Sequence, residues 1–291
     1  MSDERVIRSA VDWLEARGLS VVFSPHANEG WSYVAGAPEV RARDLEWAFA
    51  DPSVDAIFCL GGGHGAGQLL RHLDYGLIAA NPKPFVGFSD ITVLHAAIGK
   101  EAGLVTFWGP MVGQLGSTSA FTRGGLLRAL TKGSAIGDVD PDGPPGQSIV
   151  GGVAEGELVG GTTSLLVTLM GTPWEPDTRG RILLLEEVRE EPCRVDRYLT
   201  HLLNAGKLDD CAGICVAEHV DCVPRLHQAA FDGPSPSVEE LIDSVIAPLG
   251  IPAVYGLPLG HGRRLATVPF GVRARLDAYK GRLEILEAGV N

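Results

Sequence analysis

The spacing of apolar residues along positions 1–107 predicts an alternation of helices and strands. Residues 3–17 and 41–50 carry their apolar side chains on one helical face. Further strands are predicted at 19–23, 54–60, 84–88 and 104–107, and further helices at 66–72 and 91–100. Strands that alternate with helices are typical of a mostly parallel sheet with right-handed crossovers. We therefore predict an α/β fold with a Rossmann-like, mostly parallel N-terminal sheet.

The composition changes at residues 138–147, where aspartate, proline and glycine predominate. Such a cluster of turn-forming residues is typical of a linker between domains. Beyond it come glycine-rich strands, an apolar strand that ends in Glu186 and Glu187, and further helical patterns. We predict a Rossmann-like domain over 1–137, a linker over 138–152, and a smaller, mixed α/β but β-rich domain over 153–291.

Residues 84–95 (Pro-Phe-Val-Gly-Phe-Ser-Asp-Ile-Thr-Val-Leu-His) predict a strand, a tight turn and a helix, with Ser89 at the apex. A serine in this position projects its hydroxyl above the sheet edge, beside free N–H groups at the helix start. The pattern departs from G-x-S-x-G because Ile91 occupies the second glycine position. On these residues alone, a catalytic serine and an ordinary turn capped by Ser89 or Asp90 are both open.

The glycine-rich loop at 61–65 also follows a predicted strand. Gly61, Gly63 and Ala66, with the acidic Asp90 after the next strand, fit a relaxed dinucleotide-binding fingerprint. Alternatively, the glycines let the backbone approach a reacting carbonyl and donate N–H groups to its oxygen. A tight turn without a chemical role is the third interpretation.

A serine nucleophile requires a base and a group that orients the base. Among the eight histidines, His261 differs because glycines flank it in a loop after an apolar strand. Glu186 ends the most apolar strand of the second half and is a candidate to orient the base, with Glu187 as the alternative. Because neighbouring strand residues face opposite sides, only one of the two can point into a shared cleft.

Charge and cysteine content narrow the class of protein. The formal net charge of −12 disfavours nucleic acids and anionic membranes as partners. The sequence has no apolar run of about 18 residues and no signal-peptide pattern at its start, so we expect a cytoplasmic protein.

Five cysteines, an odd number, indicate reduced thiols. The spacing of Cys211, Cys215, His219 and Cys222 matches no common zinc pattern, and a buried strand better explains Cys215.

Several motifs follow one another along most of the chain. The N-terminal ones are Phe58–Gly65, Leu73-Asp74-Tyr75, Asn81-Pro82-Lys83, the serine turn at 87–92 and the segment 105–111. The C-terminal ones are Gly171-Thr172-Pro173-Trp174, 182–187 and 256–262. Together they resemble the LD-carboxypeptidase family of serine peptidases, of the murein tetrapeptide carboxypeptidase and microcin-immunity type.

The resemblance implies a triad of Ser89, Glu186 and His261. Ser89 would attack the scissile carbonyl, His261 would act as base and then as acid, and Glu186 would orient His261. Backbone N–H groups of Gly63 and Asp90 would hold the oxyanion. The implied substrate is the murein tetrapeptide, from which a terminal D-alanine is cut from an L-diamino acid. The resemblance suggests a homodimer, and we expect no cofactor and no metal.

Substrate contacts are predicted at positions where the chain departs from the family. Trp108 stands in place of a common histidine and Thr162 in place of a common asparagine, and we expect both to line the cleft. An exopeptidase must also recognise a terminal carboxylate, for which arginine is the natural clamp. The candidates are Arg263, Arg264 and Arg197.

Two other functions stay open. Hydrolysis of acyl- or peptidyl-nucleotides, as in the microcin-immunity branch, would use Trp108 or Trp174 as a platform for the base. A non-catalytic nucleotide-binding module would instead use Gly61, Gly63 and Ala66.

Overall fold

The computed structural model describes residues 4–30, 32–225 and 236–290. The helices are α1 (Glu4–Glu15), α2 (Pro38–Ala50), α3 (Tyr75–Ala80), α4 (Thr92–Ala102), α5 (Val112–Leu115), α6 (Ala120–Thr131), α7 (Thr163–Thr168), α8 (Pro192–Asn204) and α9 (Val238–Ile246). The strands are β1 (Ile57–Phe58), β2 (Phe85–Gly87), β3 (Thr106–Trp108), β4 (Gly137–Asp138), β5 (Gln147–Val150), β6 (Val153–Thr162), β7 (Ile182–Val188), β8 (Gly213–Val220), β9 (Ala253–Leu257), β10 (Val268–Phe270), β11 (Arg273–Asp277) and β12 (Arg282–Ile285). Short 3-10 turns lie at Ala66–Gln68, Ser89–Ile91 and Ala247–Leu249. Within the described ranges, no helix combines the length and the apolar character needed to cross a membrane.

The first sheet has the strand order β1-β2-β3-β10. Strands β1, β2 and β3 are parallel, as the alternating pattern predicts. Strand β10 comes from the C-terminal half and pairs antiparallel with β3, with Val268 opposite Trp108. The α/β class and the mostly parallel N-terminal sheet are therefore confirmed, and one edge of that sheet is formed by a strand distant in sequence.

The second sheet has the order β4-β12-β11-β6-β7-β8-β9-β5. Its central strands β6 to β9 are parallel, and its outer strands are antiparallel to their neighbours. Strand β5 lies inside the predicted linker and pairs with β9. Part of the predicted linker is thus an edge strand of the second sheet, and the domain division itself stays a prediction.

Strand β7 separates two hydrophobic cores. Ile182 and Leu184 pack in a core shared with N-terminal residues such as Ile91. The alternate residues Leu183 and Leu185 pack against α8 and α9. Successive residues of a strand face opposite sides. Glu186 therefore faces the N-terminal half, and Glu187 faces the helices.

Two local predictions are wrong. Residues 19–23 are described but form no strand; Leu19, Val22 and Phe23 are exposed. An apolar run does not form a strand without a neighbouring strand to pair with. The helix predicted at 66–72 is reduced to the 3-10 turn Ala66–Gln68, which begins after a left-handed glycine at 65 and has a second glycine inside it.

Candidate active site

Ser89 lies at the turn between β2 and α4. Strand β2 ends at Gly87, the 3-10 turn begins at Ser89, and α4 follows at once. The φ angle of Ser89 is +62°, a left-handed conformation that is uncommon for a residue with a side chain and that clusters at functional sites. The turn therefore has the strained strand-to-helix geometry of a nucleophile elbow.

Gly87 provides the space that lets Ile91 occupy this turn. A Cβ atom on Gly87 would lie 2.8 Å from Ile91 Cγ2, closer than real side chains approach. Ile91 is buried in the core shared by the two halves. The departure from G-x-S-x-G is therefore compatible with close packing of strand and helix, because the first glycine accommodates the isoleucine.

The glycine-rich loop packs directly against the Ser89 side chain. A Cβ atom on Gly62 would lie 3.2 Å from Ser89 Cβ and 3.3 Å from Ser89 Oγ. Gly63 has a φ of +99°, which favours glycine. Among the hydrogen bonds of the described residues, none uses the N–H groups of Gly62, Gly63 or Asp90. Free donors of this kind near a nucleophile are what an oxyanion site requires.

The Asp90 carboxylate fixes the far end of this loop. Its Oδ2 accepts a hydrogen bond from the Ala66 N–H at 2.8 Å, and the side chain is buried. Arg41 Nη1 donates to the Gly65 carbonyl at 3.1 Å. Burial raises the pKa of the Asp90 carboxyl, and this rise is opposed by the Ala66 hydrogen bond and by electrostatic interactions with His64 and Arg41. The end of the loop that does not contact Ser89 is therefore held by Asp90 on one side and by Arg41 on the other.

These contacts argue against dinucleotide binding by Gly61, Gly63 and Ala66. The fingerprint requires a helix N-terminus directly after the loop, where the pyrophosphate binds. Here the loop leads into a single 3-10 turn, and the Ala66 N–H is already bonded to Asp90.

Glu186 and His261 form a direct pair. Glu186 Oε1 accepts a hydrogen bond from His261 Nδ1 at 2.5 Å and from the His261 backbone N–H at 3.3 Å. Glu186 is fully buried, whereas the His261 side chain is 20% exposed. Because Nδ1 donates to the carboxylate, Nε2 is left as the basic nitrogen. Gly260 permits this approach, since a Cβ atom there would lie 2.6 Å from Glu186 Cγ.

The His261 ring also packs on Phe88, the residue before Ser89, with the ring centroids 4.7 Å apart. No hydrogen bond joins His261 to the Ser89 hydroxyl, although both residues are described. Catalytic hydrogen bonds are often long without substrate and shorten in the substrate complex. The structure therefore brings the predicted base next to the serine turn.

Threonine hydroxyls connect the serine turn to Glu186. Thr162 Oγ1 donates to Glu186 Oε2 at 2.8 Å, and Thr163 Oγ1 donates to the Glu186 carbonyl at 3.0 Å. The Thr162 N–H donates to Thr92 Oγ1 at 3.0 Å, and the Thr92 hydroxyl donates to the Ser89 carbonyl at 2.7 Å. A continuous chain of hydrogen bonds thus joins the two halves of the protein through the site.

Glu187 faces the opposite side of β7, as strand alternation predicts. Its carboxylate accepts hydrogen bonds from the N–H groups of Ser164 at 2.9 Å and Val188 at 3.0 Å. Burial raises the pKa of Glu187. Of the two neighbouring glutamates, Glu186 is the one bonded to His261.

Trp108 and Thr162 are buried in the protein next to the residues of the candidate site. Trp108 is completely buried, and its indole N–H donates to the Leu259 carbonyl at 2.7 Å. Thr162 is 3% exposed, and its hydroxyl is bonded to Glu186. This burial argues against the expectation that the two residues line the substrate cleft, and favours a positioning role for both.

The three arginines predicted as candidates for binding a terminal carboxylate differ in whether their guanidinium groups already have partners. Arg263, two residues after His261, is exposed and makes no hydrogen bond or ion pair with any described residue. Arg264 is engaged, because its Nη2 pairs with Asp140 Oδ1 at 2.5 Å. Arg197 is exposed on α8. Arg263 is therefore the unengaged arginine of the histidine loop, and its role as a carboxylate clamp stays a prediction.

The cysteines are free thiols, and Cys211, Cys215 and Cys222 are buried. His219 Nδ1 donates to the Ala217 carbonyl at 3.1 Å. In the part of the chain that the structure describes, no three His, Cys, Asp or Glu side chains are grouped so that they could hold a metal ion.

Arg41, Thr92 and Phe88 were not identified from the sequence as parts of the site. Thr92 and Phe88 lie within the serine-turn motif, so their closeness to Ser89 in the sequence could have indicated that they belong to the site. Arg41 lies on α2, and nothing in the sequence links it to the glycine-rich loop.

Both halves of the chain match family models. Residues 1–109 match the LD-carboxypeptidase N-terminal domain and residues 155–276 the LD-carboxypeptidase C-terminal domain. The chain is 36% identical over 292 residues to a probable murein peptide carboxypeptidase of Bacillus subtilis, covering 99% of this chain and 89% of the relative. It is 33% identical over 285 residues to the murein tetrapeptide carboxypeptidase of Pseudomonas aeruginosa, covering 95% and 90%. An MccF-like protein from Bacillus anthracis has a similar solved structure, with a TM-score of 0.86, 31% identity, and coverage of 99% of this chain and 93% of that chain.

Proposed function

Because the chain belongs to the LD-carboxypeptidase family, we propose that it is a serine carboxypeptidase that removes the terminal D-alanine from murein tetrapeptides. The observation that carries the proposal is the Glu186–His261 pair beside the strained Ser89 turn. The names of two relatives, which state a murein peptide and a murein tetrapeptide, support the substrate class.

In the proposed reaction, Ser89 Oγ attacks the carbonyl carbon of the L-diamino acid. His261 Nε2 takes the serine proton and then gives it to the leaving nitrogen of D-alanine, so that an acyl-enzyme remains on Ser89. Water, deprotonated by His261, hydrolyses this ester. Glu186, buried and bonded to His261 Nδ1, keeps the ring in the required tautomer and stabilises the imidazolium.

The tetrahedral oxyanion would be held by the free N–H groups of Gly63 and Asp90. The contact between Gly62 and the Ser89 side chain supports this assignment, since it brings the loop backbone close to the reacting oxygen. For the terminal carboxylate of D-alanine, we propose the unengaged Arg263 as the clamp.

The test is a matched set of tetrapeptides of the form L-Ala–γ-D-Glu–L-Lys–X. With X as D-alanine, we expect release of free D-alanine. With X as L-alanine, or with a D-alanine amide that lacks the terminal carboxylate, we expect little release. Equal cleavage of all three peptides would contradict an exopeptidase specific for the L–D bond.

A second candidate is hydrolysis of acyl- or peptidyl-nucleotides, supported by the similarity to an MccF-like protein. Trp108 is too buried to stack on a base. Trp174 is half-buried and lines a cavity of about 340 Å³ together with Arg71. Release of nucleotide from a peptidyl-nucleotide, with no D-alanine released from the tetrapeptide, would favour this candidate over the first.

We further propose that the protein works in the cytoplasm as a homodimer. The five free thiols support a reducing compartment. The dimer rests on the family resemblance alone, and sedimentation analysis at micromolar concentration tests it: a monomer throughout would contradict it.

A further inference from the structure

Glu218 is a second carboxylate at the Glu186–His261 pair, and the proposed mechanism does not use it. It lies near the end of β8, the strand that pairs with β7. In the register of these two strands, Leu185 is opposite Val216 and Glu187 is opposite His219. Glu186 alone therefore faces two residues, Ala217 and Glu218.

Two residues opposite one define a β-bulge, which redirects a side chain relative to simple alternation. Without the bulge, Glu218 would share the face of Val216, which packs in the core beneath α8 and α9. With it, the Glu218 carboxylate meets the histidine loop, because a Cβ atom on Gly262 would overlap Glu218 Oε2. The bulge therefore directs Glu218 toward the active site.

The described residues compensate the Glu218 carboxylate only in part. Its Oε2 is buried and has no hydrogen-bond partner among the residues that the structure describes. Arg264 is near enough to favour the ionised form, but its guanidinium is paired with Asp140. Burial and the neighbouring Glu186 raise the pKa of Glu218. A buried acceptor without a partner is costly, and such a group beside a reaction centre suits a ligand that brings the missing donor.

We propose that Glu218 is a specificity-determining residue that binds the side-chain ammonium of the diamino acid in the substrate. The inference rests on the proposed function, which puts a diamino acid at the acyl side of the cleaved bond. An ammonium supplies both the positive charge and the N–H donors that Glu218 lacks. A metal ion suits the site less well, since no group of three potential metal ligands occurs among the described residues.

The test compares two tetrapeptides, L-Ala–γ-D-Glu–X–D-Ala, in which X is L-lysine or L-norleucine. Norleucine retains the aliphatic chain and lacks the ammonium. From the strength of charge-assisted hydrogen bonds, we expect wild type to prefer the lysine peptide about ten- to a hundredfold in kcat/KM. Glu218→Gln is expected to lose this preference through slower turnover of the lysine peptide, with the norleucine peptide changed by less than about threefold.

The control variant is Glu15→Gln, which removes one negative charge from an exposed position at the end of α1. It should keep the lysine preference. Equal losses on both peptides in Glu218→Gln, or an unchanged preference, would overturn the proposal. The wild-type comparison needs no variant: release from both peptides without preference contradicts the Glu218 site alone, whereas no release from either contradicts the proposed function as well.

Discussion

Thr162 donates its backbone N–H to the hydroxyl of Thr92 at 3.0 Å, and this bond joins the strand before Glu186 to the helix after Ser89. The Thr92 hydroxyl in turn donates to the Ser89 carbonyl, and the Thr162 hydroxyl donates to Glu186. Gly161 is required here, because a Cβ atom on it would lie 2.6 Å from Thr92 Oγ1. Thr92 and Thr162 therefore link Ser89 and Glu186, the nucleophile and the carboxylate of the proposed triad, through hydrogen bonds.

Replacing Thr162 with valine should test this connection. The change leaves Glu186 Oε2 buried without its donor, so we expect a loss of about 1–3 kcal/mol in the free energy of unfolding. Misalignment of the histidine should lower kcat about ten- to a hundredfold with KM little changed. Thr162→Ser keeps the hydroxyl and should retain activity. A rise in KM with normal kcat would instead indicate that Thr162 contacts substrate.

The two neighbouring glutamates should differ sharply in their effects. Glu186→Gln removes the charge that stabilises the His261 imidazolium and should lower kcat by about three to four orders of magnitude. Glu187→Gln alters a carboxylate on the other face of β7 and should change kcat by less than about tenfold. Steady-state kinetics on both variants, each checked for folding by circular dichroism, distinguishes them. The reverse result would show that the orienting carboxylate is misassigned.

The Asp90 side chain should support catalysis through the glycine-rich loop. Asp90→Ala removes the acceptor of the Ala66 N–H, and loss of one partner of a buried hydrogen bond costs about 1–3 kcal/mol. We expect lower kcat because the loop that carries Gly63 is less well held, while Asp90→Asn, which keeps an acceptor oxygen, should recover part of the loss. Unchanged kcat in Asp90→Ala would contradict a role for this contact.

His95 should make stability depend on pH. It is fully enclosed beneath the serine turn, its Nε2–H donates to the Gly87 carbonyl, and burial lowers its pKa from 6.5 to about 4. The folded protein therefore binds fewer protons here than the unfolded chain. The contribution is complete above pH 6.5 and is lost progressively as the pH falls toward 4.

Urea unfolding of wild type and His95→Gln at pH 7.5 and pH 5 measures this effect. Relative to the variant, wild type should lose about 2 kcal/mol between the two pH values. A parallel pH dependence in both proteins would show that other groups cause the acid sensitivity.

Much of the site could be predicted because its residues carry local signals. The strand-turn-helix pattern made Ser89 a candidate nucleophile, and the flanking glycines made His261 a candidate base. Strand alternation restricted the orienting carboxylate to one of Glu186 and Glu187, and the family resemblance joined these residues into a triad. Each of these local signals depends only on residues that are close together in the sequence, so it can be recognised without knowing the tertiary contacts.

The remaining features depend on contacts between distant segments. The Thr92–Thr162 bond spans 70 residues, and the burial of Trp108 depends on β10, a strand from the opposite half. The bulge that directs Glu218 toward the site is an irregularity in how β8 pairs with strands distant in sequence, and the residues of β8 alone do not indicate it. Residues 19–23 show the converse: an apolar run without a pairing strand stays exposed.

The most direct test of the account is D-alanine release from L-Ala–γ-D-Glu–L-Lys–D-Ala by wild type, Ser89→Ala, His261→Ala and the double variant. We predict that each single change lowers the rate by about three orders of magnitude or more, and that the double variant is no slower than the single variants, because the two residues act as one unit. Wild-type rates of release from folded Ser89→Ala would contradict the central claim that this serine is the nucleophile.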